Sequence, residues 1–181
     1  MTARLDEQLA LRLGSAKAVT GARIAWERDA TNYKYKIEGS TDNATYWLVN
    51  HKSGKVLDVS GGSTADGGSL IGWPQDTGTN QQWKLLPNTD GSYRLANVKS
   101  GKVLDSPGGS AQGAALDQWA DTGSSNQWWQ LVPASTGYYR IVNLGNGWCV
   151  DVKDASTADG ASIIQSPNTG GTNQEWQLLA L

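Results

Sequence analysis

Two sets of residues have the types needed to grip a polyhydroxylated ring: Asp58, Trp73, Asn80 and Gln81, and then Asp105, Trp119, Asn126 and Gln127. A sugar offers an apolar C–H face, which a flat aromatic can cover. It also offers adjacent hydroxyls, which a carboxylate accepts and which an amide both donates to and accepts from. On that chemistry Asp58 and Asp105 are the bidentate acceptors, and Trp73 and Trp119 the stacking platforms. Asn80 and Asn126 are the amide partners, and Gln81 and Gln127 orient the aspartates. Asp117, standing where the first set has Ile71, joins the second set as a side position that sets specificity. A third set, Asp151, Asn173 and Gln174, has Ser166 at the platform position, so two working sites and a weak third one are expected.

The elements that must position these residues are repeated. Asn-Gln-x-Trp returns three times, ending at Trp83, Trp129 and Trp176, at spacings of 46 and 47 residues. Each copy follows an apolar run closed by an aspartate: Val56-Leu57-Asp58, Val103-Leu104-Asp105 and Cys149-Val150-Asp151. A unit of about 46 residues repeated in this way dictates the architecture before any propensity is consulted. Within each unit an alternating run from Tyr46, Tyr93 or Tyr139 leads through Asn50, Asn97 or Asn143 and a Gly turn to the aspartate strand, which reads as a hairpin. Asp66-Gly67, Gln112-Gly113 or Asp159-Gly160 then opens a second hairpin, and a run such as Trp83-Lys84-Leu85-Leu86 closes the unit. Four short strands per repeat make twelve. Trp83, Trp129 and Trp176 recur identically at the starts of apolar runs and are read as core, whereas Trp73, followed by Pro74 and a polar loop, is not.

Three Gln-x-Trp repeats in register with three Val/Leu-Asp turns resemble the ricin B-type lectins, also called family 13 carbohydrate-binding modules. The resemblance covers residues 46–181, with repeats at 46–91, 92–136 and 137–181. It implies an all-β chain folded as a β-trefoil, a six-stranded barrel capped by three hairpins about a pseudo-threefold axis. Such closure hides most strand edges. It further implies carbohydrate binding without catalysis, on mono-, oligo- or polysaccharide. In this family such modules are often tethered to glycoside hydrolases of extracellular parents.

Residues 1–45 lie outside the repeat. Leu9 to Leu13, Arg23 to Trp26 and Tyr33 to Glu38 alternate as three half-buried strands. The stretches Leu13-Gly14-Ser15-Ala16-Lys17-Ala18-Val19-Thr20-Gly21 and Tyr35-Lys36-Ile37-Glu38-Gly39-Ser40-Thr41-Asp42 resemble the middle of a discoidin (coagulation factor 5/8 C-terminal type) β-sandwich. Three strands cannot enclose a core alone, so this segment is expected to dock on the trefoil or to pair with its copy in a homo-oligomer.

Composition sets limits on other functions. Nine Trp, no Phe and 22 Gly favour short strands, tight turns and exposed aromatic surface over helices. A net charge of −2 with no basic cluster gives no footprint for nucleic acid. No run nears the roughly 18 apolar residues of a membrane span, and the start Met1-Thr2-Ala3-Arg4 is not a signal region. A soluble chain is therefore expected, with any export signal in sequence beyond it. Cys149, the lone cysteine, reads as a buried structural thiol. His51, the lone histidine, has no nucleophile at motif spacing, and no cofactor or metal set is evident.

Asp76-Thr77-Gly78 and Asp121-Thr122-Gly123 imitate aspartic-protease triplets but lie in polar loops, as turn formers do. Asp105 and Asp117 could form a glycosidase-like carboxylate pair, but a threefold aspartate argues for repeated binding. Two alternatives stand beside carbohydrate binding. One is a protein-interaction trefoil such as a protease inhibitor, which would not need aspartate, platform and amide in one register twice. The other is an engineered or structural chimera without ligand, suggested by the abrupt join at Thr45-Tyr46.

Overall fold

The computed structural model describes residues 24–29, 32–37, 44–107 and 111–181. The chain divides into two compact units, Met1–Asn43 and Ala44–Leu181. In the first unit, β1 (Ile24–Asp29) and β2 (Asn32–Ile37) form an antiparallel hairpin with Ile24 opposite Ile37. The strand expected over residues 9–13 and most of the discoidin-like stretches lie outside the described residues.

Among the described residues the second unit has twelve strands, four from each repeat. The first repeat gives β3 (Thr45–Asn50), β4 (Val56–Val59), β5 (Gly68–Trp73) and β6 (Trp83–Pro87). The second gives β7 (Tyr93–Asn97), β8 (Val103–Asp105), β9 (Asp117–Trp119) and β10 (Trp129–Pro133). The third gives β11 (Tyr139–Asn143), β12 (Cys149–Val152), β13 (Ala161–Ser166) and β14 (Trp176–Ala180). First and last strands of each repeat close a ring in the order β3-β6-β7-β10-β11-β14 and back to β3. The six-stranded barrel of the expected β-trefoil is thus present, with no free edge in the ring. The middle strands form the hairpins β4-β5, β8-β9 and β12-β13, joined by β5-β9 and β13-β5 ladders and an Ala115–Ile164 bridge.

The core is threefold because each repeat contributes the same apolar positions. Leu48, Leu57, Leu70 and Trp83 pack with Leu95, Leu104, Leu116 and Trp129, and with Ile141, Val150, Ile163 and Trp176. All three motif tryptophans are fully buried. Each indole N–H donates to the carbonyl just before its aspartate, Leu57, Leu104 or Val150, at 3.0 Å. Burying an indole without such a partner would cost much of what its area contributes. Cys149 is buried as expected, and burial raises its thiol pKa.

The hairpin expected between the Tyr strand and the aspartate strand is reduced to one ladder pair per repeat: Val49–Val56, Ala96–Val103 and Val142–Cys149. The turns still close, with Asn50, Asn97 and Asn143 N–H groups each donating at 2.8 Å across them. The aspartate strand then leaves the barrel to pair with the strand that ends at the platform position. That departure carries Asp58, Asp105 and Asp151 to the cap.

Candidate functional site

Asp58 and Asp151 are the penultimate residues, and Asp105 the last, of strands in which every residue is buried. A carboxylate within such a strand must find donors or stay protonated. Donors come from the single 3-10 turn before each motif tryptophan: Thr79–Gln81, Ser125–Gln127 and Thr172–Gln174. In the first repeat Asn80 Nδ2 donates to Asp58 Oδ1 at 3.0 Å and Gln81 Nε2 to Oδ2 at 2.8 Å. In the third, Asn173 and Gln174 divide Asp151 the same way, at 2.8 and 2.6 Å. In the second, Asn126 and Gln127 converge on one oxygen, Asp105 Oδ1, both at 2.9 Å. Burial raises the pKa of all three aspartates, and the glutamine and then the asparagine amide oppose that rise.

The glutamines do two jobs at once. Gln81 Nε2 also donates to Pro74 O at 3.0 Å, and its Oε1 accepts from Asp76 N–H at 2.8 Å. Gln127 and Gln174 repeat that clamp on Ala120 and Thr122 and on Pro167 and Thr169. Each glutamine therefore orients its aspartate and fixes the loop after the platform. The asparagines depart from expectation. Besides the aspartate, Asn80 Nδ2 donates to Val59 O at 3.3 Å, Asn126 Nδ2 to Ser106 O at 3.0 Å and Asn173 Nδ2 to Val152 O at 3.4 Å. Both amide hydrogens are spent on the protein, so each asparagine offers a ligand only its carbonyl oxygen.

The platform position ends the strand opposite the aspartate. Trp73 pairs with Val56, Trp119 with Val103 and Ser166 with Cys149. With the period of two along a strand, this puts each platform on the face of its aspartate. Trp73 is 40% and Trp119 43% exposed, while Ser166 is 7% exposed. Directly across from the aspartates stand Ile71, Asp117 and Ile164. Asp117 Oδ1 is buried and meets no hydrogen-bond donor among the described residues. Its pKa is raised to about 6, first by burial and then by the charges of Asp105 and Asp66.

The loop triplets are turn formers: Asp76 and Asp121 accept from the N–H of Gly78 and Gly123, at 2.6 and 3.0 Å. Other positions were not legible as parts of the site. Asn50, Asn97 and Asn143 donate to the backbone of the preceding motif, at Asn173, Asn80 and Asn126. Each repeat thus ties down the cage of its neighbour, and the constant Asn four residues after each tyrosine was the available signal. Lys55 pairs with Asp159, and Lys102 with Asp66 at 2.6 Å, both across repeats. Glu175, 5% exposed, accepts from His51 Nδ1 at 2.8 Å, Ser135 Oγ at 2.6 Å and Arg140 at 2.9 Å. These bonds, led by that of Ser135, lower its pKa. His51 and Ser135 both address the carboxylate rather than each other, so the group is a knot that joins all three repeats. Among the described residues no cluster of three His, Cys, Asp or Glu could hold a metal.

A sequence profile described as "Ricin-type beta-trefoil lectin domain-like" matches residues 6–73, 31–119, 79–166 and 125–180. No curated protein matches the chain. Among solved structures, the chain is similar to ThreeFoil, a designed threefold-symmetric protein. They share 44% identity over 76% of this chain and 99% of that one, with TM-score 0.74. An exo-beta-1,3-galactanase from Clostridium thermocellum is 38% identical over 80% of this chain, TM-score 0.75, but only 32% of that chain is covered. The ricin B-like lectin of Macrolepiota procera, solved with lactose, is 26% identical over 78% of this chain and 98% of that one, TM-score 0.67.

Proposed function

The chain belongs to the ricin-type β-trefoil lectin family, and from that premise we propose that it is a non-catalytic carbohydrate-binding module with sugar sites in the first and second repeats. The observation that carries the reading is the conjunction, twice and not three times, of a caged aspartate with an exposed indole on the same face. A sugar would stack its C–H face on Trp73 or Trp119, present two hydroxyls to Asp58 or Asp105, and donate to the carbonyl of Asn80 or Asn126. Asp117 faces the second site and Ile71 the first, so the two discriminate between sugars differently. The third site keeps Asp151, Asn173 and Gln174 and is weak for want of a platform.

Binding rather than catalysis is supported by the same cage recurring around Asp58 and Asp151, where no second acid stands opposite. A family 13 module tethered to a glycoside hydrolase in an extracellular parent fits the galactanase similarity, since that enzyme is about three times longer than the shared part. The leading 45 residues are proposed to be a discoidin-like remnant through which chains could associate. Two weak sites on one rigid body would gain avidity on a polysaccharide, about 10²-fold if both engage.

One observation favours a second reading. The 44% identity to ThreeFoil fits an engineered trefoil retained without ligand. A broad glycan and polysaccharide array separates the readings: the lectin reading expects binding that the Trp73→Ala, Trp119→Ala double variant loses. A blank array would favour the ligand-free scaffold.

A further inference from the structure

Each platform indole lies against a turn of a different repeat. A Cβ placed on Gly160, in the Asp159-Gly160 turn of the third repeat, would stand 3.7 Å from Cζ3 of Trp73 in the first. A Cβ on Gly67, in the Asp66-Gly67 turn of the first repeat, would stand 3.7 Å from Cζ3 of Trp119 in the second. The corresponding glycine of the second repeat, Gly113, borders the strand that ends in Ser166, and a Cβ there meets nothing within 4 Å.

All three turns dock in the same way. Gly160 N–H donates to Gly72 O at 2.9 Å, Gly67 N–H to Gln118 O at 2.9 Å and Gly113 N–H to Gln165 O at 2.8 Å. Gly160, Gly67 and Gly113 have φ of +77°, +76° and +84°, so the left-handed backbone explains a glycine at all three. Only at the two platform junctions does a second demand arise, that of keeping the indole edge uncovered.

Those two junctions also carry charges that the third lacks. Asp159 pairs with Lys55, and Asp66 pairs with Lys102 while accepting from Ala120 N–H at 2.8 Å, directly after the platform. At the third junction the matching residues are Gln112 and Trp148. The Asp66 and Asp159 side chains are 40% and 53% exposed beside the indoles, placed to accept hydroxyls.

We propose that each sugar site is composite, its platform coming from one repeat and its rim from the Asp-Gly turn of the repeat before it around the threefold axis. The third repeat, which has no platform, is then part of the first repeat's site. This rests on the carbohydrate reading above. The ligand class it implies is an oligosaccharide whose stacked unit extends over the turn glycine and offers a hydroxyl to the rim aspartate.

The test compares Gly160→Asn, Gly67→Asn and Gly113→Asn in the intact chain, asparagine being the side chain best tolerated at positive φ. Acrylamide quenching of tryptophan fluorescence needs no sugar. It should fall for Gly160→Asn and Gly67→Asn and stay unchanged for Gly113→Asn. Titration with lactose, and with xylotriose in parallel, should show one site weakened by about fivefold or more in the first two variants and neither in the third. Equal quenching in all three variants would overturn the junction geometry. Altered quenching with unaltered affinity would overturn the rim role while leaving the sugar reading intact. If neither sugar binds the unaltered chain, the reading beneath fails, and the rim with it. Should an asparagine variant not fold, Asp159→Ala and Asp66→Ala are expected to weaken one site each, with Gln112→Ala as the silent control. No loss of affinity in either aspartate variant would overturn the proposal.

Discussion

The first and third repeats hold their aspartates in nearly the same cage and differ in what lies beside it. Asp58 and Asp151 each receive an asparagine amide on Oδ1 and a glutamine amide on Oδ2, all within 2.6 to 3.0 Å. On the same face the first repeat presents Trp73, 40% exposed, and the third presents Ser166, 7% exposed. The third repeat keeps the whole cage without a stacking surface. The cage therefore serves the fold, by supplying donors to a carboxylate in a buried strand, and the aromatic beside it is the separable part on which the proposed sugar binding rests.

The first way to break that comparison is to truncate the buried indoles. Trp83→Ala and Trp176→Ala should each cost about 3–5 kcal/mol of stability in urea unfolding, since both leave a large cavity and an unpaired carbonyl. A large difference between the two would mean that the third repeat is not an equal structural partner. A smaller effect is expected from Gln81→Ala and Gln174→Ala, about 1–3 kcal/mol each, because each strands a buried carboxylate oxygen and frees a loop. Only the first of this pair should also weaken sugar binding.

The second repeat sharpens the comparison through pH. Asp117 has its pKa raised from 3.8 to about 6 by burial beside Asp105. Between roughly pH 4 and pH 6 the native state thus holds more protons than the unfolded chain, and stability falls as pH rises through that window. Asp117→Asn should make the fall shallower, leaving the smaller contributions of Asp58, Asp105 and Asp151, and leave the protein about 1–2 kcal/mol more stable at pH 7, measured as Tm against pH. The smallest effect is a gain. Ser166→Trp should add a third binding event, weaker than the other two because Gln112 replaces the rim aspartate, at a stability cost of about 1–3 kcal/mol for placing an indole at a buried serine, read by titration.

Much of this was legible in the sequence because the repeats fix both period and register. The spacing of Trp83, Trp129 and Trp176 dictated a threefold core. The placement of Trp73 and Trp119 ten residues earlier put them at strand ends facing the aspartates. The sparse pairing of β3 with β4 was not legible, since a Gly turn between apolar runs gives no sign that the second strand will leave for another partner. Nor was the spending of both Asn80 amide hydrogens, which depends on where Val59 O falls in three dimensions. The contacts of Gly160 and Gly67 with indoles of other repeats were hidden for a further reason. A turn dipeptide announces its own conformation but not its neighbour across a threefold axis.

Calorimetric titration of the intact chain with the glycan that it binds best tests the central claim most directly. The account predicts two sugars per chain, one after either Trp73→Ala or Trp119→Ala, and none in the double variant. Three sugars per chain, or undiminished binding by the double variant, would contradict it.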